Sequence, residues 1–319
     1  MHSIHKNVQI SGIICTYNIP DTFYSALESL TNQNFSKNDY EIIIVDHTIS
    51  DKIPSSIREI IDQNDCEIRY IPESKKGLSA ARNTGIEHSN AEIIAFIDDD
   101  AIADPDWLSS ILEIYEKEPD AWAVGGKVKP LWDVDPPGWF DDTMLRSLSI
   151  VDWGDEIRPL IWPERLIGTN FSFRREVFKK IGFFDTQLGR KGPLLLGNED
   201  TEIQERIHEL GKYVYFTPHA IVHHHIPPER LTKKYFFDRS YGGGRSEAIL
   251  SHRDDKKFSI FKVLMGRSVQ IGKFFALQLI TVFDEKKRLN LWRNLWYHIG
   301  YIHQSAILIF SIKSKKDKI

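Results

Sequence analysis

The sequence predicts an α/β fold, a parallel sheet with helices packed on its faces. Three observations carry this. Four short runs rich in β-branched residues precede residue 100, each separated from the next by a helix-patterned segment. Polar residues gather just after these runs, at the strand ends where open α/β sheets bind ligands. The chain has 319 residues, 41% of them hydrophobic, enough for one large core or two modest ones.

The elements follow in order. "NVQISGIICTYN" reads as a buried strand. "IPDTFYSALESLTNQ" places Phe23, Ala26, Leu27 and Leu30 at helical spacing, with Pro20 near its start. "YEIIIVDHTISD" is a second buried strand ending in a polar turn, and "SSIREIIDQN" a short helix. "CEIRYIPES" is a third strand, "GLSAARNTGIEHS" a helix of small residues, and "AEIIAFIDDD" a fourth strand. "DPDWLSSILEIYEKEP" then predicts a helix, with Asp104 as its N-cap, Pro105 at its first position and Trp107, Leu108, Ile111, Leu112 and Tyr115 on one apolar face. From Trp132 to Trp162 the pattern weakens and loops are expected. "RLIGTNFSFRREVFKKIGFFD" reads as strand then helix. "NEDTEIQERIHELG" is a helix with an acidic start and a glycine stop, and "KYVYFTPHAIVHHHI" a strand ending in three histidines.

Composition narrows the class. Two cysteines, Cys15 and Cys66, imply no disulfide framework and fit a reducing compartment. No signal-like apolar segment precedes Val8. The net charge of −4 is uneven. From Ser251 to Ile319 there are 14 Lys and Arg against 5 Asp and Glu, a net of +9, while the other 250 residues carry a net of −13. An acidic body with a basic, aromatic tail points to an anionic membrane surface rather than nucleic acid as partner.

The chemistry centres on Asp98, Asp99 and Asp100. Adjacent carboxylates at a strand end repel, and a hard divalent cation would offset that repulsion. Taken alone, the triplet also fits a polar turn before a helix. An imidazole in the shell would favour Mn²⁺, with Mg²⁺ also possible. "VHHHIPP" offers His223, His224 and His225; on a strand His223 and His225 share one side and His224 takes the other, so spacing alone does not choose. Neither a Walker-type loop nor Gly-x-Gly-x-x-Gly occurs, which disfavours a nucleotide-dependent oxidoreductase and points to a metal as the holder of a diphosphate.

These segments together resemble glycosyltransferase family 2, inverting enzymes with the GT-A fold. The resemblance spans roughly Val8 to Ala248 through "CTYN", "IIIVDHTISD", "KGLSAARNTGI", "IAFIDDDAIADPDWL", "VGGKVKP", "GTNFSFRREVFKKIGFFD", "GNEDTEIQERIHELGKYVYFTPHAIVHHH" and "PPERLTKKYFFDRSYGGGRSEA". It implies that "IDDD" is the family's Asp-x-Asp motif, with Asp98 near the ribose and metal, Asp99 in the variable middle position and Asp100 on the metal. It also implies His224 as the third metal ligand, by register against the family's His-x-x-Pro-Pro-Glu-Arg pattern, with His223 or His225 in its place if the strand ends differently. Thr16, Tyr17 and Asn18 would line the nucleobase pocket, Asp46 would read the base, and Arg82 would lie against the nucleotide site. His47 departs from the family, which often has a second acidic residue there. "GNEDTEI" implies Asp200 as general base, with Glu199 orienting the acceptor or the base. Asn170 in "GTNFSF" is expected to bond an acceptor hydroxyl. In "RSYGGGRS", Arg239 and Arg245 flank a presumed flexible turn, expected to close on the acceptor and on the donor diphosphate.

The tail holds two apolar segments, Phe258–Phe283 and Leu295–Ile312, the second 18 residues long without Asp, Glu, Lys or Arg. That length barely reaches a membrane span. Trp292, Trp296, Tyr297, Arg293 and the terminal "KSKKDK" favour helices lying in the surface of an anionic leaflet.

The expected domains are a GT-A catalytic domain over 1–228, nucleotide-sugar half to about 105 and acceptor half 106–228, and a helical region over 229–319. The expected function is transfer of a sugar from a UDP-sugar to a glycan hydroxyl on a polyprenyl-diphosphate-linked acceptor, in cell-surface polysaccharide synthesis. The expected place is the cytoplasm, peripheral at the inner face of the membrane. The rivals are transfer to polyprenyl phosphate, a protein or a soluble acceptor, and an inactive membrane-bound scaffold.

Overall fold

The computed structural model describes residues 8–48, 52–192, 194–253, 260–278, 281 and 284–316. Asp51 and, in the first tail segment, Phe258, Ser259, Leu279, Ile280, Val282 and Phe283 lie outside them.

Strands β1 (Ile10–Thr16), β2 (Tyr40–Asp46), β3 (Glu67–Pro72) and β4 (Ile93–Asp98) pair in parallel in the order β3-β2-β1-β4. Helices α1 (Thr22–Thr31), α2 (Ser55–Gln63) and α3 (Leu78–His88) connect them. All seven residues of β1 are buried, because helices cover both faces of the sheet, and so its sequence shows no alternation. Its side chains part by parity. Ile10 and Ile14, with Ile42 and Ile44, pack against Phe23 and Leu27 of α1 and Trp107 and Ile111 of α4 (Trp107–Lys117). Ile13, with Ile43 and Val45, faces Ala81 of α3, Val177 of α5 (Arg175–Ile181) and Ile203 of α6 (Glu199–Glu209). Burying each such isoleucine contributes about 1.5–3 kcal/mol.

The parallel order ends at β4. β8 (Asn170–Arg174) pairs antiparallel with it, followed by β6 (Ala121–Trp132), β9 (Tyr213–Ile226) and the three-residue β5 (Ala101–Ala103). β7 (Arg158–Pro159) pairs with β9. The nine-stranded sheet is therefore mixed. β5 and β6 have no counterpart in the elements expected from sequence.

α4 begins two residues later than its capping pattern predicts. The main-chain carbonyl of Asp104 accepts from Trp107 N at 3.0 Å, and the Asp104 carboxylate pairs with His223 Nε2 at 2.9 Å. Asp104 is not the N-cap: an imidazole on β9 takes its side chain instead.

The chain divides into two compact units. The first runs to Leu131 and adds Ser149–Thr186 and Asp200–Ile226; it contains the sheet. The second gathers Trp132–Leu148, Gln187–Glu199 and the chain from Pro227. Its framework is α7 (Lys233–Ser251), α8 (Ile260–Gln278) and α9 (Glu285–Lys316). α7 is capped by Thr232, whose hydroxyl accepts from Tyr235 N at 3.2 Å. α7 and α9 meet backbone to backbone: a Cβ on Gly244 would stand 1.9 Å from the Tyr297 carbonyl oxygen, and one on Gly300 2.1 Å from that of Tyr241. Among the described residues no helix is long and apolar enough to cross a membrane.

Candidate active site

Three side chains converge at the carboxyl end of β4. Asp98 ends that strand, and Asp99 and Asp100 form the turn into β5. β5 pairs antiparallel with β9, Ala101 opposite His224, and His225 N donates to the Asp100 carbonyl at 2.8 Å. This short ladder sets His224 Nε2 3.1 Å from Asp100 Oδ1. His223, on the opposite face of β9, goes to Asp104. His224 is buried, and single donor atoms of Asp98, Asp100 and His224 all lie within 4.8 Å of one another. Two carboxylates and an imidazole suit a hard or borderline divalent cation. A cation bound at about 2.1 Å spaces adjacent ligands about 3 Å apart, the separation of His224 from Asp100. The residues present fit such an ion.

The middle aspartate is held differently. Asp99 Oδ2 accepts from Thr16 Oγ1 at 2.7 Å, tying the end of β1 to the end of β4. Burial, and then the charge of Asp100, push its carboxyl up to about 7. Positive charge beside the triplet would act the other way.

Arg82 lies behind Asp98. Its guanidinium is buried among the rings of Phe171, Phe184 and Phe96, 4.9–6.0 Å from their centroids. Nη2 reaches Asp98 Oδ1 at 3.4 Å and donates to the Gly168 carbonyl at 3.1 Å. Thr169 Oγ1 donates to Asp98 Oδ2 at 2.6 Å. Asp98 is thus oriented from both sides.

At the ends of β1 and β2, Asp46 is buried. Oδ1 accepts from Thr48 N at 2.8 Å and from the Thr48 hydroxyl, and Oδ2 accepts from Tyr70 at 2.6 Å. A carboxylate offers about four acceptor sites, so among the described residues one on Oδ2 is unused. Tyr17, 53% exposed, stacks on His47 with centroids 4.8 Å apart, and burial holds the His47 imidazole below its usual range. Asn18 adopts a left-handed φ of 58°, which asparagine tolerates, and its N–H donates to Thr48 Oγ1 at 2.9 Å.

Glu199, buried, and Asp200 open α6. Asp200 Oδ2 accepts from Gly168 N at 3.3 Å. One turn on, Gln204 clamps Leu166: its Oε1 accepts from Leu166 N at 2.8 Å, and its Nε2 donates to Leu166 O at 3.1 Å. The segment 166–169 is therefore fastened to α6 on one side and to Arg82 and Asp98 on the other.

Two expectations are corrected. Asn170 has no atom to offer an acceptor: it is fully buried, its Oδ1 accepts from Trp107 Nε1 at 2.8 Å, and its Nδ2 donates to the carbonyls of Lys127 and Ala220. The polar residue of "GTN" that meets the site is Thr169. The flexible turn expected in "RSYGGGRS" is absent, since its glycines lie inside α7, where Gly244 packs on the Tyr297 carbonyl of α9 and Gly242 on that of Leu195. Arg245 there donates through Nε and Nη2 to Gln304 Oε1 at 3.0 and 2.9 Å, and Arg239 Nη1 donates to Leu195 O at 3.2 Å. Neither arginine belongs to a hinge that closes on a ligand. Sequence reasoning also missed Thr48, Tyr70, Gly168, Thr169 and Gln204. Thr169 lies in the turn just before β8, and all five are visible only as contacts.

The model of "Glycosyl transferase family 2" matches residues 11–182. The chain belongs to that family, and it is a glycosyltransferase. It is 29% identical over 272 residues to a glucosyl-dolichyl phosphate glucuronosyltransferase of Haloferax volcanii, covering 81% of this chain and 83% of that one. It is 26% identical to the succinoglycan biosynthesis protein ExoM of Rhizobium meliloti, over 77% and 76% of the two chains. Among solved structures, the mannosyltransferase PcManGT from Pyrobaculum calidifontis, in complex with GDP-Man and Mn²⁺, superposes with a TM-score of 0.62 at 18% identity, over 93% of this chain and 87% of that one. The fold is GT-A.

Proposed function

We propose that the chain transfers a sugar, with inversion, from a UDP-sugar to a hydroxyl of a lipid-linked glycan. The observation that carries this is the convergence of Asp98, Asp100 and His224 in the same unit that fastens Asp200 to Arg82 through Gly168. Asp98, Asp100 and His224 would hold Mn²⁺ or Mg²⁺; when bound, the ion supplies positive charge to the diphosphate as it departs. Mn²⁺ in the PcManGT complex supports that assignment. Asp200 takes the proton of the acceptor hydroxyl, with Glu199 orienting it. The hydroxyl oxygen bonds to the anomeric carbon from the face opposite the nucleotide. The bond from that carbon to the phosphate oxygen breaks, and its electron pair leaves with the nucleoside diphosphate.

Thr16 and Asn18 shape the base end, Tyr17 offers a ring face, and Arg82 holds Asp98 toward the ribose. The remaining acceptor site on Asp46 suits a ring N–H on the pairing edge of the base, present in uracil and guanine and absent from cytosine and adenine. The nucleotide half extends to about residue 105, and the acceptor half follows to about 228. Two observations support a lipid-linked acceptor in surface-polysaccharide synthesis: the dolichyl phosphate and succinoglycan named in the relatives, and the basic tail, which suits the inner face of an anionic membrane. The test offers radiolabelled UDP- and GDP-sugars with a polyprenyl-diphosphate-linked glycan and Mn²⁺. Transfer from a UDP-sugar, absent in Asp200→Asn, is expected; transfer from GDP-sugars alone would overturn the donor, and label reaching only water would overturn the acceptor.

A further inference from the structure

The second unit carries a largely apolar face on which none of its described residues packs. α8 meets α9 through Val263 and Phe274, both buried, and through Arg267, whose guanidinium lies 3.7 Å from the Tyr301 ring centroid. Helical periodicity puts Met265, Ser268, Val269, Gly272 and Ala276 on the opposite side, with Leu264 and Phe275 at one flank and Lys273 at the other. All are exposed; Met265 is 59%, Val269 60% and Phe275 65% exposed. A soluble helix turns its charged side outward, and this one turns methyl groups and a phenyl ring outward.

Charge identifies the occupant. Between Ile260 and Gln278 there is no Asp or Glu, while Lys262, Arg267 and Lys273 are present. Beside the apolar face a groove of about 580 Å³ runs between α8 and α9, lined by Arg267, Gln270, Lys273, Asn294 and His298 among others. It offers hydrogen-bond donors at the border of an apolar surface, the sequence of environments met in descending from phosphate headgroups to acyl chains. Trp292, 39% exposed, stands edge-on to Phe274 on the neighbouring helix, a ring suited to the headgroup level.

We infer that α8 lies in the plane of an anionic phospholipid surface, with Met265, Val269 and Phe275 below the headgroups and phosphates in the α8–α9 groove. Lys273 reaches upward along its own methylene stem. This deepens the membrane reading of the tail, names the inserting element, and uses a readout independent of sugar transfer.

The experiment is flotation of the full chain with phosphatidylcholine vesicles, with and without phosphatidylglycerol. Wild type floats with the phosphatidylglycerol vesicles and stays behind with phosphatidylcholine alone. The double variant Met265→Asp, Val269→Asp loses about tenfold or more of the bound fraction. Ile161→Asp with Leu210→Asp, an equal charge change at exposed positions of the first unit, leaves flotation unchanged. UDP binding, measured alongside, reports folding of each variant and separates failure here from failure of the glycosyl-transfer reading. Three results overturn the inference: wild type floats with neither vesicle, the α8 variant floats like wild type, or wild type forms a dimer in sedimentation that the α8 variant abolishes.

Discussion

Arg82 and Asp200 grip the two main-chain groups of one residue. Arg82 Nη2 donates to the Gly168 carbonyl at 3.1 Å, and the Gly168 N–H donates to Asp200 Oδ2 at 3.3 Å. The guanidinium that steadies Asp98 and the carboxylate proposed as base are thus set against each other through a single glycine. A Cβ at Gly168 would stand 2.6 Å from Arg82 Nη2. Gly168→Ala should therefore displace Arg82 or the loop, lowering stability by about 1–3 kcal/mol and kcat about 10–100-fold. Urea unfolding and steady-state kinetics check it; unchanged kcat would show that the grip does not position the base.

Asp200→Asn keeps the shape and the bond from Gly168 and removes the proposed base. Transfer should fall about 10²–10⁴-fold, while metal-dependent nucleotide affinity stays within about threefold. Calorimetry beside kinetics separates the two; a parallel loss of nucleotide binding would make Asp200 part of the donor site.

The three glycines of α7 should respond unequally. A Cβ on Gly244 meets the Tyr297 carbonyl at 1.9 Å, while one on Gly243 meets nothing nearer than a ring carbon of Tyr297 at 3.8 Å. Gly244→Ala should cost about 1–3 kcal/mol or more, because backbone cannot swing aside. Gly243→Ala should be neutral or stabilise by up to about 1 kcal/mol through helix propensity. Urea denaturation of both variants tests the contrast, and equal effects would contradict the α7–α9 packing.

Both thiols should be silent in the native protein. Cys15 and Cys66 are free and buried, and burial pushes the Cys15 thiol from its ordinary 9.0 up to about 12. A raised thiol pKa favours folding fully below about pH 9 and loses that contribution between 9 and about 12, as the unfolded chain ionises first. A thiol reagent at pH 8 should count neither cysteine until urea is added, then both. Rapid labelling of the native protein would contradict the burial of these groups.

Much of the sheet was legible because its signal is local. β1, β2 and β4 are continuous apolar runs bounded by polar turns, and that pattern survives without tertiary knowledge. β5 was not legible, since three residues of "AIA" carry no period; yet its pairing with β9 selects His224 over His223. The site was legible as residue types at strand ends and illegible as geometry. Asn170 and Thr169 are neighbours of similar polarity and both are buried, and only their contacts distinguish them: Asn170 meets Trp107, while Thr169, in the turn before β8, meets Asp98. In "YGGG" sequence alone does not distinguish a hinge from a seam, because glycine serves both, and the facing glycine, Gly300, lies far along the chain.

The most direct measurement is calorimetric binding of UDP and GDP, with and without Mn²⁺, to wild type and to Asp100→Ala. If Asp98, Asp100 and His224 hold the ion that carries the diphosphate, UDP binds tightly only with Mn²⁺, and Asp100→Ala weakens that binding by about 100-fold or more. UDP binding that is indifferent to Mn²⁺, or that survives the loss of Asp100, would contradict the site.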